Sequence, residues 1–293
     1  YDYEQTLPAP TNRVNWRGKG SAPYAFTIAN NATIKEGSFR PSSPSYTMVI
    51  SGTLEVQSGG NYGYSAGDFE VSSSIGAIDI KSGGNMYAST QNTNVTSGDF
   101  TDDGTFHHNS GTVVMQAAGR DIDGSSTTTF YNLTSETYTD VTKSINVENT
   151  MKALGGNSWR FVTNQTVTMG TATGSGRIEV GTASGKGMRF TNLNKTYKFE
   201  SASEVYPWIG ISSGAGWNNG EPGNTIELTG CDMQFDFNTQ GSGGDEPVTW
   251  KVANAEFDAV TVDSGDTMIV SSGQRATFGD ALNITGSMVT SGS

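Results

Sequence analysis

Between Ser51 and Ser89 the chain repeats itself. The first copy runs Ser51-Gly52-Thr53-Leu54-Glu55-Val56-Gln57-Ser58-Gly59-Gly60-Asn61, and the second runs Ile75-Gly76-Ala77-Ile78-Asp79-Ile80-Lys81-Ser82-Gly83-Gly84-Asn85. Gly59 and Gly83 are 24 residues apart, as are Leu54 and Ile78, and Val56 and Ile80. Each copy holds a strand of alternating apolar and polar residues, closed by a turn written Ser-Gly-Gly-Asn. A unit this small buries its apolar face by stacking on its neighbour, so the pattern predicts an all-β chain built as a β-solenoid of short strands.

The rest of the sequence continues the theme. Apolar pairs spaced by two recur at Val113/Met115, Ile145/Val147, Val167/Met169, Ile178/Val180, Ile226/Leu228 and Trp250/Val252, with Thr, Glu or Lys often standing between them. Such alternation puts one set of side chains on each face of a strand. Gly contributes 38 of 293 residues, and 33 Ser with 37 Thr make up about 24%; these residues suit short strands and tight turns and disfavour helices. The spacing is uneven: after the 24-residue step, the next recognised strand, centred on Val114, comes about 35 residues later. Either loops are inserted between rungs or the architecture changes, which keeps a jelly roll or tandem β-sandwiches as the alternative fold.

A formal charge of −12 with no dense run of Lys or Arg argues against a nucleic-acid partner. No 18-residue apolar run is present, so no membrane span is expected. The lone Cys231 excludes an intrachain disulfide and reads as a small buried apolar residue. Tyr1-Asp2-Tyr3 reads as a processed or clipped start.

Four segments are expected. Residues 1–48, with Pro8, Pro10, Pro23, Pro41 and Trp16, read as an N-terminal cap or attachment arm, because a solenoid end needs cover. Residues 49–199 form a β-repeat region, 200–224 an aromatic Gly-rich loop insertion, and 225–293 a second β-repeat region that reads as continuing beyond Ser293.

One resemblance can be placed on residues. Thr105-Phe106-His107-His108-Asn109-Ser110-Gly111-Thr112-Val113-Val114-Met115, followed by Thr129-Phe130-Tyr131-Asn132-Leu133-Thr134, resembles a pattern in large repetitive surface proteins of bacteria and in structural proteins of marine tailed phages. The run Ala255–Thr267, continued by Ser272–Phe278, looks like another unit of the same kind. The resemblance implies an adhesin-like or virion-fibre setting and carries no catalytic residue across.

Candidate chemistry is sparse. His107 and His108 are the two histidines; as strand neighbours they face opposite sides and do not share a metal ion. No serine-hydrolase elbow is present, and the catalytic assignment is none. Glu200, Glu204 and Glu221 flank the aromatic stretch and supply the best carboxylates for polysaccharide hydrolysis, the leading enzymatic alternative. Tyr206, Trp208 and Trp217, with the amides of Asn218 and Asn219, form the candidate glycan-binding set, because flat rings suit sugar faces. Asp121 and Asp123 before Gly124, and Asp102-Asp103-Gly104, resemble calcium turns, which leaves structural Ca2+ as the one candidate cofactor. The six Asn-x-Ser/Thr sequons, beginning with Asn31, Asn94 and Asn132, match chance in a chain this rich in Ser and Thr.

The expected function is therefore a non-enzymatic structural protein of a virion surface or an extracellular or cell surface. It would be a fibre, spike or decoration subunit, a homo-oligomer or part of an assembly with other surface subunits. An adhesin or filament subunit, and a glycan-binding or glycan-degrading tailspike-type protein, are the alternatives.

Overall fold

The computed structural model describes the backbone of residues 3–5, 13–16, 25–41, 45–63, 69–154 and 159–170 and, between 177 and 290, the strands with short flanking pieces. Side chains are described for residues 25–39, 45–63, 69–154, 159–170, 262 and 267–270 and for parts of 272–290. Among these residues there is no helix, and parallel strands stack into a β-solenoid. The chain divides into two compact units, Tyr1–Thr134 and Ser135–Ser293.

In the first unit the sequence repeat is the rung. Strand Thr47–Val56 pairs with Ala25–Ile28 through residues 47–50 and with Ala32–Ile34 through residues 54–56, and both halves pair onward with Ser73–Ile80. One strand thus serves two faces. It turns between them at Ser51-Gly52, where the register against Ser73–Ile80 slips between Ile50 and Thr53. The corner is too tight for a side chain: a Cβ on Gly76 would lie 2.4 Å from the Ser51 carbonyl oxygen.

The Ser-Gly-Gly-Asn turn makes the next corner. Gly59 and Gly83 adopt φ of +82° and +81°, left-handed backbone that glycine enters without steric cost. The Gly59 N–H donates to the Gly83 carbonyl at 3.0 Å, so successive turns bond each other as the strands do. Each turn feeds a third face, made of Gly37–Pro41, Gly60–Tyr62, Asn85–Tyr87 and Thr105–His107.

Inward residues line up in columns. Ala32, Leu54, Ile78, Phe100 and Ile122 stand in register, as do Ile50, Ile75, Val95 and Met115. All are buried. Each of the Val, Leu, Ile, Phe and Met side chains among them contributes about 1.5–3 kcal/mol on burial, which is how a chain with modest apolar content holds together. On the third face Tyr62 stacks on Phe69 with ring centroids 4.6 Å apart.

The gap between Ile80 and Val113 is filled by a full rung. Asn92–Val95 pairs with residues 73–75, Phe100–Asp102 with residues 78–80, and Thr105–His107 with Asn85–Tyr87. The alternation is hard to see there because Thr93 and Asp102 occupy inward positions and are fully buried. All pairings described are parallel, whereas jelly rolls and β-sandwiches are built from antiparallel strands, so the solenoid replaces that alternative.

The segment 1–48 supplies rungs of its own. Tyr3–Gln5, Arg13–Trp16, Ala25–Ile28, Ala32–Ile34 and Gly37–Pro41 each pair parallel with a later strand. Pro8, Pro10 and Pro23 fall outside the described residues, and Pro41 is the last residue of its strand.

In the second unit the backbone register continues with looser spacing. Thr139, Trp159, Met188 and Trp217 stand in register, and so do Ile145, Val167, Phe199, Leu228, Val252 and Val270. The step from Val167 to Phe199 is 32 residues and that from Val252 to Val270 is 18. The expected loop at 200–224 contains two strands: Glu204–Pro207 pairs with Arg177–Val180, and Gly216–Asn218 pairs with Gly187–Phe190. With three or four residues each, they are too short to show an alternating pattern.

Candidate functional site

Polar and aromatic side chains gather at the corner after Thr105–His107. Phe106 points inward against Phe100 and Phe130, at ring-centroid distances of 5.1 and 5.5 Å. His107 therefore faces outward, and it stacks on Tyr87 of the preceding rung at 4.1 Å. His108 begins the turn and stacks on Tyr131 at 5.8 Å. The two imidazoles engage different neighbours, and His108 lies past the end of the strand rather than on its opposite side. Burial, and then the charge of His108, hold the His107 imidazole below its ordinary value. Tyr87 and Tyr131 were not singled out from the sequence; the signal available was the rung step, since Tyr87 and His107 are 20 residues apart.

Nearby carboxylates act as stitches between rungs. Asp99 Oδ1 accepts the Asp121 N–H at 3.0 Å, and Asp103 Oδ1 accepts both the Ser125 N–H and the Ser125 hydroxyl at 2.7 Å. Asp102 accepts the Thr128 hydroxyl at 2.7 Å and the Gly104 N–H at 3.1 Å. Asp121 and Asp123, the calcium candidates, flank inward Ile122 on one strand, Arg120–Asp123, and so share its outer face. Together their carboxylates would supply two to four of the six to eight oxygens a calcium ion takes. Among the described residues no group of three or more His, Cys, Asp or Glu side chains is arranged to hold a metal ion.

The aromatic candidates are divided between two faces. Tyr206 lies in the stack of Arg177–Val180, in register with Glu179, whereas Trp217 and Asn218 lie in the stack of Gly187–Phe190. Trp217 is in register with Met188 and, a rung earlier, with fully buried Trp159. Trp208 and Asn219 lie outside the described residues, as does Glu221. Glu200 and Glu204 sit on strands of different stacks, with Glu204 in register with Arg177.

Three sequon asparagines also join rungs. Asn31 Oδ1 accepts the Thr53 N–H at 2.8 Å, Asn94 Nδ2 donates to the Ser73 carbonyl at 3.0 Å, and Asn132 Nδ2 donates to the Thr112 hydroxyl at 3.3 Å. Among the described residues no helix is long and apolar enough to cross a membrane. Compared with protein-family models, curated proteins and solved structures, the chain matches none.

Proposed function

We propose that this chain is a non-enzymatic structural protein of an exterior surface: a virion fibre, spike or decoration subunit that associates with copies of itself and presents loops to partners. An adhesin or extracellular filament subunit is the same reading in a cellular setting. The observation that supports it is how the polar side chains are employed. Asp99, Asp102, Asp103, Asp140, Asn31 and Asn94 each bond a group about one rung away along the chain, so they reinforce a stack. An enzyme instead converges such groups on one reacting atom. Parallel rungs with satisfied backbones give a stiff scaffold from a chain of modest hydrophobicity.

Light scattering and negative-stain electron microscopy of the purified chain test this reading, together with antibody labelling of the native particle. Assemblies larger than one chain and label on an outer surface are the expected results. A compact monomer that releases reducing ends from a polysaccharide would overturn it.

A further inference from the structure

The turn His108-Asn109-Ser110-Gly111 combines backbone strain with a titratable hydrogen-bond acceptor. Asn109 and Ser110 have φ of +49° and +58°, and among the described residues they are the non-glycine residues with left-handed backbone. Two consecutive residues in that region persist where surrounding bonds hold them. Three bonds do so here. The Ser110 N–H donates to His108 Nδ1 at 3.0 Å, the Gly111 N–H donates to the His108 carbonyl at 2.9 Å, and Asn109 Nδ2 donates to the Ala88 carbonyl of the preceding rung at 2.7 Å. The first bond requires a bare Nδ1, and so a neutral imidazole carrying its proton on Nε2.

We propose that this corner is a proton-sensitive latch, closed while His108 is neutral and released when a proton on Nδ1 turns that atom from an acceptor into a donor facing the Ser110 amide. Histidine is the side chain whose ordinary range makes such a change between about pH 5 and 8. Among the contacts described, the titratable groups beside it are Tyr131, stacked on His108, and the adjacent His107, stacked on Tyr87. A protonated His108 keeps a favourable place on the Tyr131 ring face, so the ring stays while the amide bond is lost. Burial and the charge of His108 both oppose a proton on His107. The element released is the link from Thr105–His107 to Thr112–Met115, together with its tie to Ala88. The latch is a property of this corner whatever the outer surface contacts.

Amide hydrogen exchange resolved at Ser110, corrected for intrinsic rate, reads the latch directly. In the wild-type chain its protection falls about tenfold or more between about pH 7.5 and about pH 5. His108→Asn provides an uncharged oxygen that accepts the same i+2 amide, and its Ser110 protection is independent of pH over that range. His107→Gln keeps the wild-type loss. Equal protection at both pH values in the wild type, or a loss that persists in His108→Asn, would overturn the proposal. If His108→Asn does not fold, the ring-nitrogen shifts of wild-type His108 decide: a proton on Nδ1 at neutral pH overturns the latch, and a proton on Nε2 supports it.

Discussion

The Asp102 carboxylate lies 2.7 Å from the Thr128 hydroxyl inside the first unit, in the register column that Ile80 and Val56 occupy one and two rungs earlier. An acidic side chain stands where the repeat places an aliphatic one, and it is 1% exposed. Its bonds to Thr128 and to the Gly104 N–H satisfy both partners. Asp102→Ala takes the acceptor from the buried Thr128 hydroxyl, at about 1–3 kcal/mol, and removes a bond from the half-buried Gly104 N–H. Pairing Asp102→Leu with Thr128→Val, which removes the hydroxyl as well, is expected to recover much of that loss. Hydrogen exchange of first-unit amides under urea measures both; equal destabilisation in the single and double variants would contradict this account.

Tyr62 gives an alkaline prediction. Its phenol is fully buried with no hydrogen-bond partner for the hydroxyl, and burial pushes its ionisation well above the usual range. Below a phenol's ordinary value of about 10 the group is neutral in both folded and unfolded chains and adds no pH dependence. Above it the unfolded chain loses the proton and the folded chain keeps it, so stability falls by about 1.4 kcal/mol per pH unit from this group. Tyr62→Phe removes that alkaline slope and, by deleting an unsatisfied hydroxyl, leaves stability at pH 7 unchanged or higher. Urea midpoints measured from pH 8 to above pH 10 test it; an identical slope in the variant refutes it.

The corner glycines separate two kinds of cost. Gly83 needs positive φ, and a Cβ there would meet the movable Ser58 Oγ at 2.6 Å, so Gly83→Ala is expected to cost about 1–2 kcal/mol. Gly83→Asn costs less, because asparagine tolerates this backbone. Gly76→Ala is worse than either, since its Cβ would meet the Ser51 carbonyl oxygen, which is backbone of the preceding rung and cannot swing aside. Thermal midpoints in the order wild type, Gly83→Asn, Gly83→Ala, Gly76→Ala are the expected result. A tolerated Gly76→Ala would mean that the corner is looser than described.

The repeat at 51–85 was legible because Leu54, Val56, Ile75, Ile78 and Ile80 point inward at matching positions and its turns are glycines with one required geometry. The next rung was hidden because Thr93 and Asp102 point inward, and an alternation written in polar residues carries no hydrophobic signal. The strands at Glu204–Pro207 and Gly216–Asn218 were hidden by brevity, since parallel pairing to a neighbouring rung holds segments too short to read alone. The corner built on His108 was the least legible. Its partner Tyr131 comes from a later strand, and its key bond depends on which ring nitrogen carries the proton.

Trp159 and Arg160 are adjacent in sequence and opposite in consequence. Trp159 is fully buried in register with Thr139, while Arg160 points outward, paired with the Asp140 carboxylate and lying 4.5 Å from the centroid of the Tyr138 ring. Trp159→Ala is expected to cost about 3–5 kcal/mol, the transfer of a large ring plus the cavity it leaves. Arg160→Ala is expected to cost about 1 kcal/mol or less, because a partly solvated ion pair gives back in desolvation and side-chain order most of what it gains. Added salt shrinks the Arg160 effect and leaves the Trp159 effect in place, since screening acts on charges and not on packing. Unfolding of both variants at low and high salt, followed by hydrogen exchange at second-unit amides, separates the two. Comparable losses, or a salt-dependent loss at Trp159, would mean that the strand Trp159–Phe161 does not face the way its burial pattern states.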